Sequence, residues 1–363
     1  DFLEKTRHYP VIDVRSPGEF VQAHIPGAYS LPLFSDEERK VVGTAYKKQD
    51  KQTAIKIGLD YFGVKMRGMV DEVEKIVDGW QSAVSNQPPV SGGVEEEPTA
   101  NHELQVSKCV LLHCWRGGMR SAAIAWLLNL YGMDVYLLEG GYKAYRNWII
   151  TRFEKDYDIK ILGGFTGSGK TRILTQLQKN AQATIDLEKL ANHKGSAFGG
   201  IGQGPQPSQE MFENELGMEL SKNENKSFWL EDESQRIGHL QIPLAFWQTM
   251  RKKPVFFVDI PFDERLQYIV QEYGVCNKES LQVSIERIKK RLGPLETKTA
   301  LAHLEKDETE ACFHILLAYY DKHYTKGLYS RENIQGILNK IPCSAVDSLI
   351  NAEKLVVCST ANI

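Results

Sequence analysis

The sequence lacks several patterns that would assign it to a class at once. Its six cysteines form no C-x-x-C pair and have no zinc-like spacing, so neither a zinc module nor a redox dithiol is predicted. No uninterrupted apolar segment is long enough to cross a bilayer, and the first residues, DFLEKTRHYP, contain no signal-peptide hydrophobic region. These absences predict a cytoplasmic protein with free thiols and no membrane partner.

The sequence also has no strong excess of charge of either sign. Its 44 Lys and Arg residues against 47 Asp and Glu residues give a formal net charge of −3. A protein that binds nucleic acid through bulk charge is normally more basic, so a nucleic-acid site would have to be a local patch. Three basic segments are candidates, although each is also typical of a solvated helix face: YKAYRNWIITRFEK (142–155), ERIKKRLG (286–293) and YYDKHYTKGLY (319–329).

Residues 86–106 interrupt the first part of the chain. This segment, NQPPVSGGVEEEPTANHELQV, is rich in Pro, Gly and Glu and has no apolar periodicity, which predicts a flexible loop. Before it lie a strand-like YPVIDVR and a largely helical stretch over about 36–84, and after it strands and helices alternate. Such alternation predicts a parallel sheet, so residues 1–150 are predicted to form one α/β domain with a helical insertion.

A cysteine lies between a predicted strand and a predicted helix of this domain. In HCWRGGMRS, Cys114 follows the apolar run CVLLH, and a helix with apolar residues at helical spacing follows the loop. The N–H groups of such a loop, with the positive end of the helix dipole, stabilise an anion or a thiolate. Arg116 and Arg120 add guanidinium groups that can hold an oxyanion. These three residues are predicted to be catalytic, the alternative being a buried structural cysteine.

A complete phosphate-binding motif opens a second predicted domain, which covers residues 151–363. GFTGSGKT fits G-x-x-x-x-G-K-[ST] and connects the strand IKILGG to a helix. The glycines let backbone N–H groups wrap a phosphate, Lys170 neutralises its outer oxygens, and the Thr171 hydroxyl can hold Mg²⁺. The predicted phosphate-binding residues are Gly164, Thr166, Gly167, Ser168, Gly169, Lys170 and Thr171.

Downstream strands of this domain end in acidic residues. One ends at Asp186 or Glu188, one at the run Glu231, Asp232 and Glu233, and one at Asp259. A carboxylate at such a position can hold Mg²⁺ or accept a proton, and an N-capping or solvated carboxylate is the alternative for each. The candidate acids are Asp186, Glu231, Asp232 and Glu233.

The first domain resembles a rhodanese domain. VIDVRSPGEFVQAHIPGAYSLP is similar to that family's first signature, and HCWRGGMRS with the following helix and strand is similar to its active-site loop. In ordinary sulfurtransferases of the family, the arginine follows the cysteine with one residue fewer between them. The longer spacing of Cys114 and Arg120 matches that of rhodanese-fold phosphatases. The predicted fold class is therefore α/β, with an N-terminal rhodanese-like parallel-sheet domain and a P-loop NTPase-like α/β domain that has a helical C-terminal region.

The order of motifs along the chain resembles that of the tRNA 2-selenouridine synthase family. VVGTAYKKQ, CWRGGMRS, GGFTGSGKT, DLEKLANHKGSAFG, WLEDES and PFDERL carry this resemblance over roughly residues 8–325. It implies a transferase that acts on the wobble 2-thiouridine of tRNA. The sulfur would first be geranylated from geranyl diphosphate, and the geranylthio group would then be replaced by selenium from selenophosphate.

The resemblance also implies roles for the two loops. The P-loop would bind the diphosphate of geranyl diphosphate as a leaving group rather than transfer a phosphoryl group. Cys114 would take up selenium as a Cys–S–Se adduct, and the loop with Arg116 and Arg120 would hold that anion or selenophosphate. Trp115 is a candidate for stacking on the tRNA base. A selenophosphate-supplying enzyme is a possible partner, no tightly bound cofactor is expected, and Mg²⁺ is possible.

Two other functions remain open from the residues alone. In one, Cys114 forms a phosphocysteine in a Cys-x5-Arg phosphatase fused to a small-molecule kinase. In the other, the chain is a non-enzymatic, nucleotide-gated binding module with an inert Cys114. Rapid alkylation of Cys114 near neutral pH would argue against the second alternative.

Overall fold

The computed structural model describes residues 2–85, 108–274 and 276–361. The chain divides into two compact units, Asp1–Ile149 and Ile150–Ile363. The predicted flexible loop at 86–106 lies outside the described residues. Among those that are described, no helix combines the length and the apolar character that a bilayer crossing requires.

The first unit is built on a four-stranded parallel sheet in the order β2-β1-β3-β4. Its strands are β1 (Val11–Asp13), β2 (Tyr29–Ser30), β3 (Cys109–His113) and β4 (Asp134–Leu137). Its helices are α1 (Phe2–Lys5), α2 (Pro17–Gln22), α3 (Asp36–Lys48), α4 (Lys51–Gly63), α5 (Met66–Ser85), α6 (Met119–Tyr131) and α7 (Gly141–Arg152), the last of which runs past the division. The predicted helical stretch at 36–84 is confirmed by α3, α4 and α5.

The core of the first unit explains its strand pattern. All five residues of β3 are buried, because a parallel strand in the middle of a sheet is covered on both faces. Val110 and Leu112 belong to a cluster with Ile124 of α6 and Val73 of α5. Helix α6 ends at Gly132, whose left-handed backbone (φ +97°) is a common helix stop. β3 and α6 therefore pack against each other on either side of the loop that joins them.

The second unit contains a five-stranded parallel sheet in the order β11-β10-β5-β7-β6 and a two-stranded antiparallel pair, β8 and β9. Its strands are β5 (Ile159–Gly164), β6 (Ala183–Ile185), β7 (Phe228–Glu231), β8 (Arg236–Ile237), β9 (Leu240–Gln241), β10 (Val255–Asp259) and β11 (Leu338–Pro342). Its helices are α8 (Lys170–Lys179), α9 (Leu187–Leu190), α10 (Gln209–Lys222), α11 (Leu244–Met250), α12 (Phe262–Tyr273), α13 (Lys278–Leu292), α14 (Pro294–Glu305), α15 (Thr309–Tyr329), α16 (Ile334–Ile337) and α17 (Ser348–Ala361).

The central strand of this sheet carries the phosphate-binding loop. β5 pairs with β10 on one side and β7 on the other, so the three strands end at the same edge. In an open parallel sheet, the crevice at the carboxyl ends of such strands is where ligands bind. Leu162 of β5 packs with Ile173 of α8 and Leu355 of α17 in one buried cluster. The predicted α/β fold class, with its P-loop domain and helical C-terminal region, is confirmed.

Helices α12 to α15 form a second apolar core beside this sheet. Ile285 of α13 and Leu316 of α15 are buried in it. Asn277 caps α13 by accepting hydrogen bonds from the N–H groups of Glu279 (2.7 Å) and Ser280 (3.3 Å). The predicted helical C-terminal region is confirmed, and residues of α13 and α15 line a cavity.

Candidate functional site

The sulfur of Cys114 lies in a ring of hydrogen-bond donors. Only 3% of the residue is exposed, as in a structural cysteine, but its surroundings are polar. The N–H of Gly118 donates to Sγ at 3.3 Å and the Ser121 hydroxyl at 3.2 Å. Burial raises the thiol pKa. Hydrogen bonds from Ser121 and from the N–H groups of Arg116 and Gly118 lower it by more, so the pKa lies below its usual value. The site favours a thiolate.

The loop is held in shape by a turn that precedes α7. Gly117 has a left-handed backbone (φ +63°), and a Cβ there would lie 2.7 Å from the Leu138 carbonyl oxygen. A Cβ on Gly141 (φ +60°) would overlap the Cys114 carbonyl oxygen. The N–H of Tyr142 donates to that same carbonyl at 2.8 Å. The loop therefore closes only because glycines occupy both sides of this contact.

A buried ion pair packs against Tyr142, the residue whose N–H bonds the Cys114 carbonyl. Arg15 bonds the Asp13 carboxylate at 2.6 Å, and its guanidinium carbon lies 3.8 Å from the centre of the Tyr142 ring. His113 Nε2 lies 3.7 Å from Asp13 Oδ2. Burial outweighs that carboxylate and lowers the pKa of His113 to about 4, so this histidine is neutral near pH 7. His113 therefore packs against the buried ion pair and does not exchange a proton near pH 7.

The two predicted catalytic arginines have different environments. Arg120 Nη1 donates to Glu19 Oε2 at 2.8 Å, and Arg39 reaches the same oxygen at 2.8 Å. Burial raises the pKa of Glu19, but the hydrogen bond and charge of Arg120, with Ser16 and Arg39, lower it to about 2. Arg116 is exposed and contributes its N–H to the Cys114 sulfur. The structure therefore places both arginines at the loop, with Arg120 oriented by a carboxylate.

The sequence did not point to Glu19 or Ser121. Glu19 is 101 positions from Arg120, so no local spacing marks the pair. Ser121 had a possible signal, because it directly follows Arg120 in the strand-to-helix connection, where a hydroxyl can face the cysteine.

The P-loop of the second unit has the expected local geometry. It leaves β5 at Gly164 and enters α8 at Lys170, with left-handed backbone at Gly167 (φ +82°) and Gly169 (φ +71°). Lys170 Nζ donates to the Gly164 carbonyl at 3.1 Å. The N–H of Gly164 donates to the Tyr324 hydroxyl at 3.2 Å. The glycine positions are those that let backbone N–H groups face an anion.

Three glutamates gather beside this loop. Glu188, Glu231 and Glu233 each offer a carboxylate oxygen, and the three oxygens lie within 4.8 Å of one another. The Thr171 hydroxyl donates to Glu188 at 2.9 Å. Glu231 is fully buried, and neither of its carboxylate oxygens has a hydrogen-bond partner among the described residues. The sequence alone indicates Glu188 only as an alternative to Asp186 for the end of a strand.

The chemistry of this cluster fits a divalent cation. Burial, together with the neighbouring carboxylates, raises the pKa of Glu231 well above its usual range and that of Glu233 to about 8. Burial likewise raises the pKa of Glu188. A cation such as Mg²⁺ prefers oxygen ligands and would relieve this repulsion. Glu188, Glu231, Glu233 and Thr171 are the residues that would hold it.

The other two candidate acids have structural partners. Asp186 caps α9 by accepting the N–H of Lys189 at 2.8 Å, and burial raises its pKa. Asp232 accepts the Tyr324 hydroxyl at 2.6 Å and forms an ion pair with Arg331. The structure therefore separates the predicted acids: Glu231 and Glu233 lie in the cluster, whereas Asp186 and Asp232 hold backbone and side chains in place.

A cavity of about 1210 Å³ opens above the P-loop and the glutamates. Part of its wall is apolar, with Phe198, Phe313, Leu316 and Leu317 among its lining residues. The charged lining consists of eight Lys and Arg residues and four Asp and Glu residues, although the whole chain carries a small net negative charge. The cavity therefore combines a phosphate-binding floor with apolar and cationic walls.

Two segments of the chain match known families. Residues 157–340 match the family described as the tRNA 2-selenouridine synthase AAA domain, and residues 2–58 match the rhodanese-like domain. A tRNA 2-selenouridine synthase from Nitrosomonas europaea is 32% identical over 311 residues, which cover 84% of this chain and 73% of the relative. The one from Bdellovibrio bacteriovorus is 32% identical, with 90% of each chain covered. The one from Shewanella denitrificans is 34% identical, with 89% of each covered.

Proposed function

Because the chain belongs to the tRNA 2-selenouridine synthase family, we propose that it is a tRNA-modifying transferase that acts on the wobble 2-thiouridine of tRNA. The reaction has two steps, S-geranylation from geranyl diphosphate and replacement of the geranylthio group by selenium from selenophosphate. Both steps take place in the cytoplasm, and a selenophosphate-supplying enzyme is the partner for the second.

In the first step, the second unit binds geranyl diphosphate and the P-loop receives the leaving group. The thiouridine sulfur attacks C1 of the geranyl chain, the C–S bond forms, and the C–O bond breaks as diphosphate leaves with the electron pair. Lys170 and the loop N–H groups stabilise the charge that develops on the diphosphate. Phe198, Phe313 and Leu316 form an apolar wall in the same cavity, against which the geranyl chain would pack.

A divalent cation fits the first step, since a diphosphate leaving group carries charge that a metal neutralises. Glu188, Glu231, Glu233 and Thr171 would hold it beside the P-loop. The three carboxylates would keep the ion next to the loop, and the hydroxyl of Thr171, which donates to Glu188, would supply a further oxygen ligand.

In the second step, the Cys114 loop handles selenophosphate. Transfer of selenium itself onto the Cys114 sulfur, as a Cys–S–Se adduct, would leave an electron pair on phosphorus and would need an oxidant to yield phosphate. Attack of the thiolate on phosphorus needs none: the S–P bond forms, the P–Se bond breaks, and selenide leaves with the electron pair. Water then hydrolyses the phosphocysteine to phosphate and the free thiol.

The released selenide completes the exchange on the tRNA base. It adds to C2 of the S-geranyl base, the C2–Se bond forms, and the C2–S bond breaks as geranylthiol leaves with a proton. The Cys114 loop suits the phosphorus chemistry, because Ser121 and the N–H of Gly118 donate to the thiolate that must leave again. Arg116 and Arg120 supply cations at the same loop for the phosphate oxygens.

The observation that carries this proposal is a thiol of lowered pKa, Cys114, in a chain of this family that also has an intact P-loop. The test uses the purified protein, a tRNA containing wobble 2-thiouridine, and mass spectrometry of the digested nucleosides. Geranyl diphosphate alone is expected to give the geranylated nucleoside, and addition of selenophosphate is expected to give selenouridine. Consumption of ATP with an unchanged nucleoside would favour a phosphatase fused to a kinase instead.

A further inference from the structure

Two of the basic segments noted in the sequence meet on one wall of the P-loop cavity. Arg287 and Arg291 of α13 line the cavity together with Tyr319 and His323 of α15. We propose that these four residues, here called the α13–α15 wall, bind the single-stranded loop of the RNA substrate and guide its target base toward the P-loop. This inference rests on the proposed function, since it requires that the substrate is tRNA.

The wall is ordered by contacts among its own members. Arg287 and Arg291 are four residues apart and lie on one face of α13, as Tyr319 and His323 do on α15. The Arg291 guanidinium lies near the Tyr319 hydroxyl, where its charge opposes the rise in the Tyr319 pKa that burial causes. The Tyr319 and His323 ring centres are 4.5 Å apart. The cations and rings are therefore arranged before any ligand binds, which reduces the entropy lost on binding.

The positive charge of the wall lies on the two arginines of α13. Lys289, on the same helix, pairs with Glu286 at 2.8 Å, whereas neither Arg287 nor Arg291 has an ion pair in the described part of the chain. Burial and the charges of Arg291, Lys326 and Lys322 lower the pKa of His323.

The acidic groups that line the same cavity do not compensate for this charge. Glu272 is already paired with Arg172, and Asp232 is paired with Arg331. The remaining two acids lining the cavity, Glu188 and Glu233, belong to the glutamate cluster at the P-loop. The uncompensated charge of the wall fits a polyanion.

Two features indicate that the wall binds RNA and not an additional phosphate group of a small ligand. The cavity, at about 1210 Å³, is larger than the roughly 300–1,000 Å³ of a small-molecule site, so it has room for a base beside a diphosphate. Cations beside aromatic rings are the combination by which single-stranded RNA is bound, because the cations contact phosphates and the rings stack on bases. The P-loop already provides Lys170 for the diphosphate.

The test compares two charge-reversal pairs on the full chain. One pair is Arg287→Glu with Arg291→Glu, and the control pair is Lys290→Glu with Lys298→Glu, two exposed lysines that do not line the cavity. Binding of a fluorescent anticodon stem-loop that contains 2-thiouridine is followed by anisotropy at several salt concentrations. The wall pair is expected to weaken binding about tenfold or more and to reduce the salt slope by about 1.4, whereas the control changes affinity by less than about threefold.

A second set of variants tests the rings and guards against misfolding. Tyr319→Ala is expected to weaken RNA binding about fivefold or more, whereas Tyr319→Phe keeps the stacking ring and stays within about twofold. Arg287→Gln with Arg291→Gln removes charge without introducing repulsion, so it is expected to give an intermediate loss. Circular dichroism establishes that each variant is folded.

The outcomes separate this inference from the proposed function. If the wild-type protein binds no stem-loop and modifies no thiouridine, the proposed function fails and the wall fails with it. If the wild type binds and modifies the RNA but both charge-reversal pairs bind it equally well, only the wall is overturned. It is also overturned if the wall pair loses affinity for geranyl diphosphate, measured by calorimetry, while RNA binding is unchanged. Loss of RNA binding with intact geranyl diphosphate binding supports it.

Discussion

Cys114 differs from the other buried cysteines in what surrounds its sulfur. Burial raises the pKa of Cys312 to about 11, and burial together with the Asp134 charge raises that of Cys109 to about 11. At Cys114 the same effect is outweighed by donors from Ser121 and the loop N–H groups, and the pKa falls. The lowered pKa at this position is therefore a property of the loop, since burial of the thiol by itself would raise the pKa.

This contrast gives a prediction for the pH profile of alkylation. Cys114 is expected to react with iodoacetamide with a midpoint below the ordinary thiol value of about 8.5, while Cys312 stays unreactive there. Ser121→Ala removes a donor to the thiolate, so the midpoint of Cys114 is expected to move up. Peptide mass spectrometry follows both cysteines in one sample, and an unchanged midpoint in Ser121→Ala would mean that the hydroxyl does not stabilise the thiolate.

Glu19 gives a second prediction, which concerns acid stability. Its pKa is lowered from 4.5 to about 2 in the folded chain, so its contribution is complete above the unfolded value and is lost as the pH falls from 4.5 toward 2. Glu19→Gln is expected to lower the free energy of unfolding by about 2 kcal/mol near neutral pH. Urea denaturation near neutral pH and at about pH 3 checks this, because the difference between the two proteins should shrink at the lower pH. A constant difference would assign the effect to packing.

Single residues also mark how far the sequence predicts the site. Cys114 and the P-loop residues are contiguous in the chain, so local spacing is enough to propose them. Glu19 and Tyr324 reach the two loops from 101 and 160 positions away, and only the fold brings them there. The catalytic and phosphate-binding roles themselves stay predictions until variants are measured.

At the scale of elements, the Cys114 loop depends on its contact with the turn before α7. Gly141→Ala places a Cβ against the Cys114 carbonyl oxygen at a left-handed backbone position. This substitution is expected to destabilise the protein by about 3 kcal/mol or more and to raise the thiol pKa as the loop shifts.

A matched control isolates that contact. Gly132 also has a left-handed backbone, but a Cβ there would meet nothing within 4 Å. Gly132→Ala is expected to cost only about 1 kcal/mol, the strain of the backbone alone. Thermal unfolding of both variants checks this, and equal losses would contradict a special role for the loop–turn contact.

The elements that the sequence predicted share one property, a local pattern. The strand IKILGG, the helix after Lys170 and the helices at 36–84 each show a clear apolar period or a turn signal. β11 was not anticipated, because LNKIP is short and half polar, and its strand character depends on pairing with β10, more than 80 residues earlier. Non-local pairing leaves no periodic trace in such a short segment.

At the scale of the whole molecule, the two loops predicted to bind anions follow strands of two different sheets. The Cys114 loop follows β3 in the unit Asp1–Ile149, and the P-loop follows β5 in the unit Ile150–Ile363. The resemblance that the order of motifs carries already implies that the two loops serve different steps of the reaction. Which acids face the P-loop depended on the fold, because strand ends far apart in sequence meet at one edge of the sheet.

This division predicts that variants in the two loops stall the reaction at different stages. Cys114→Ser removes the nucleophile for selenophosphate but leaves the P-loop intact, so geranylated thiouridine is expected to accumulate. Lys170→Ala removes a charge that stabilises the diphosphate, which is expected to weaken geranyl diphosphate binding by about 2 kcal/mol and to leave thiouridine unmodified. Mass spectrometry of tRNA from cells that express each variant distinguishes the two nucleosides. If both variants accumulate the same nucleoside, the two loops serve one shared chemical step, and the assignment of one reaction to each unit is wrong.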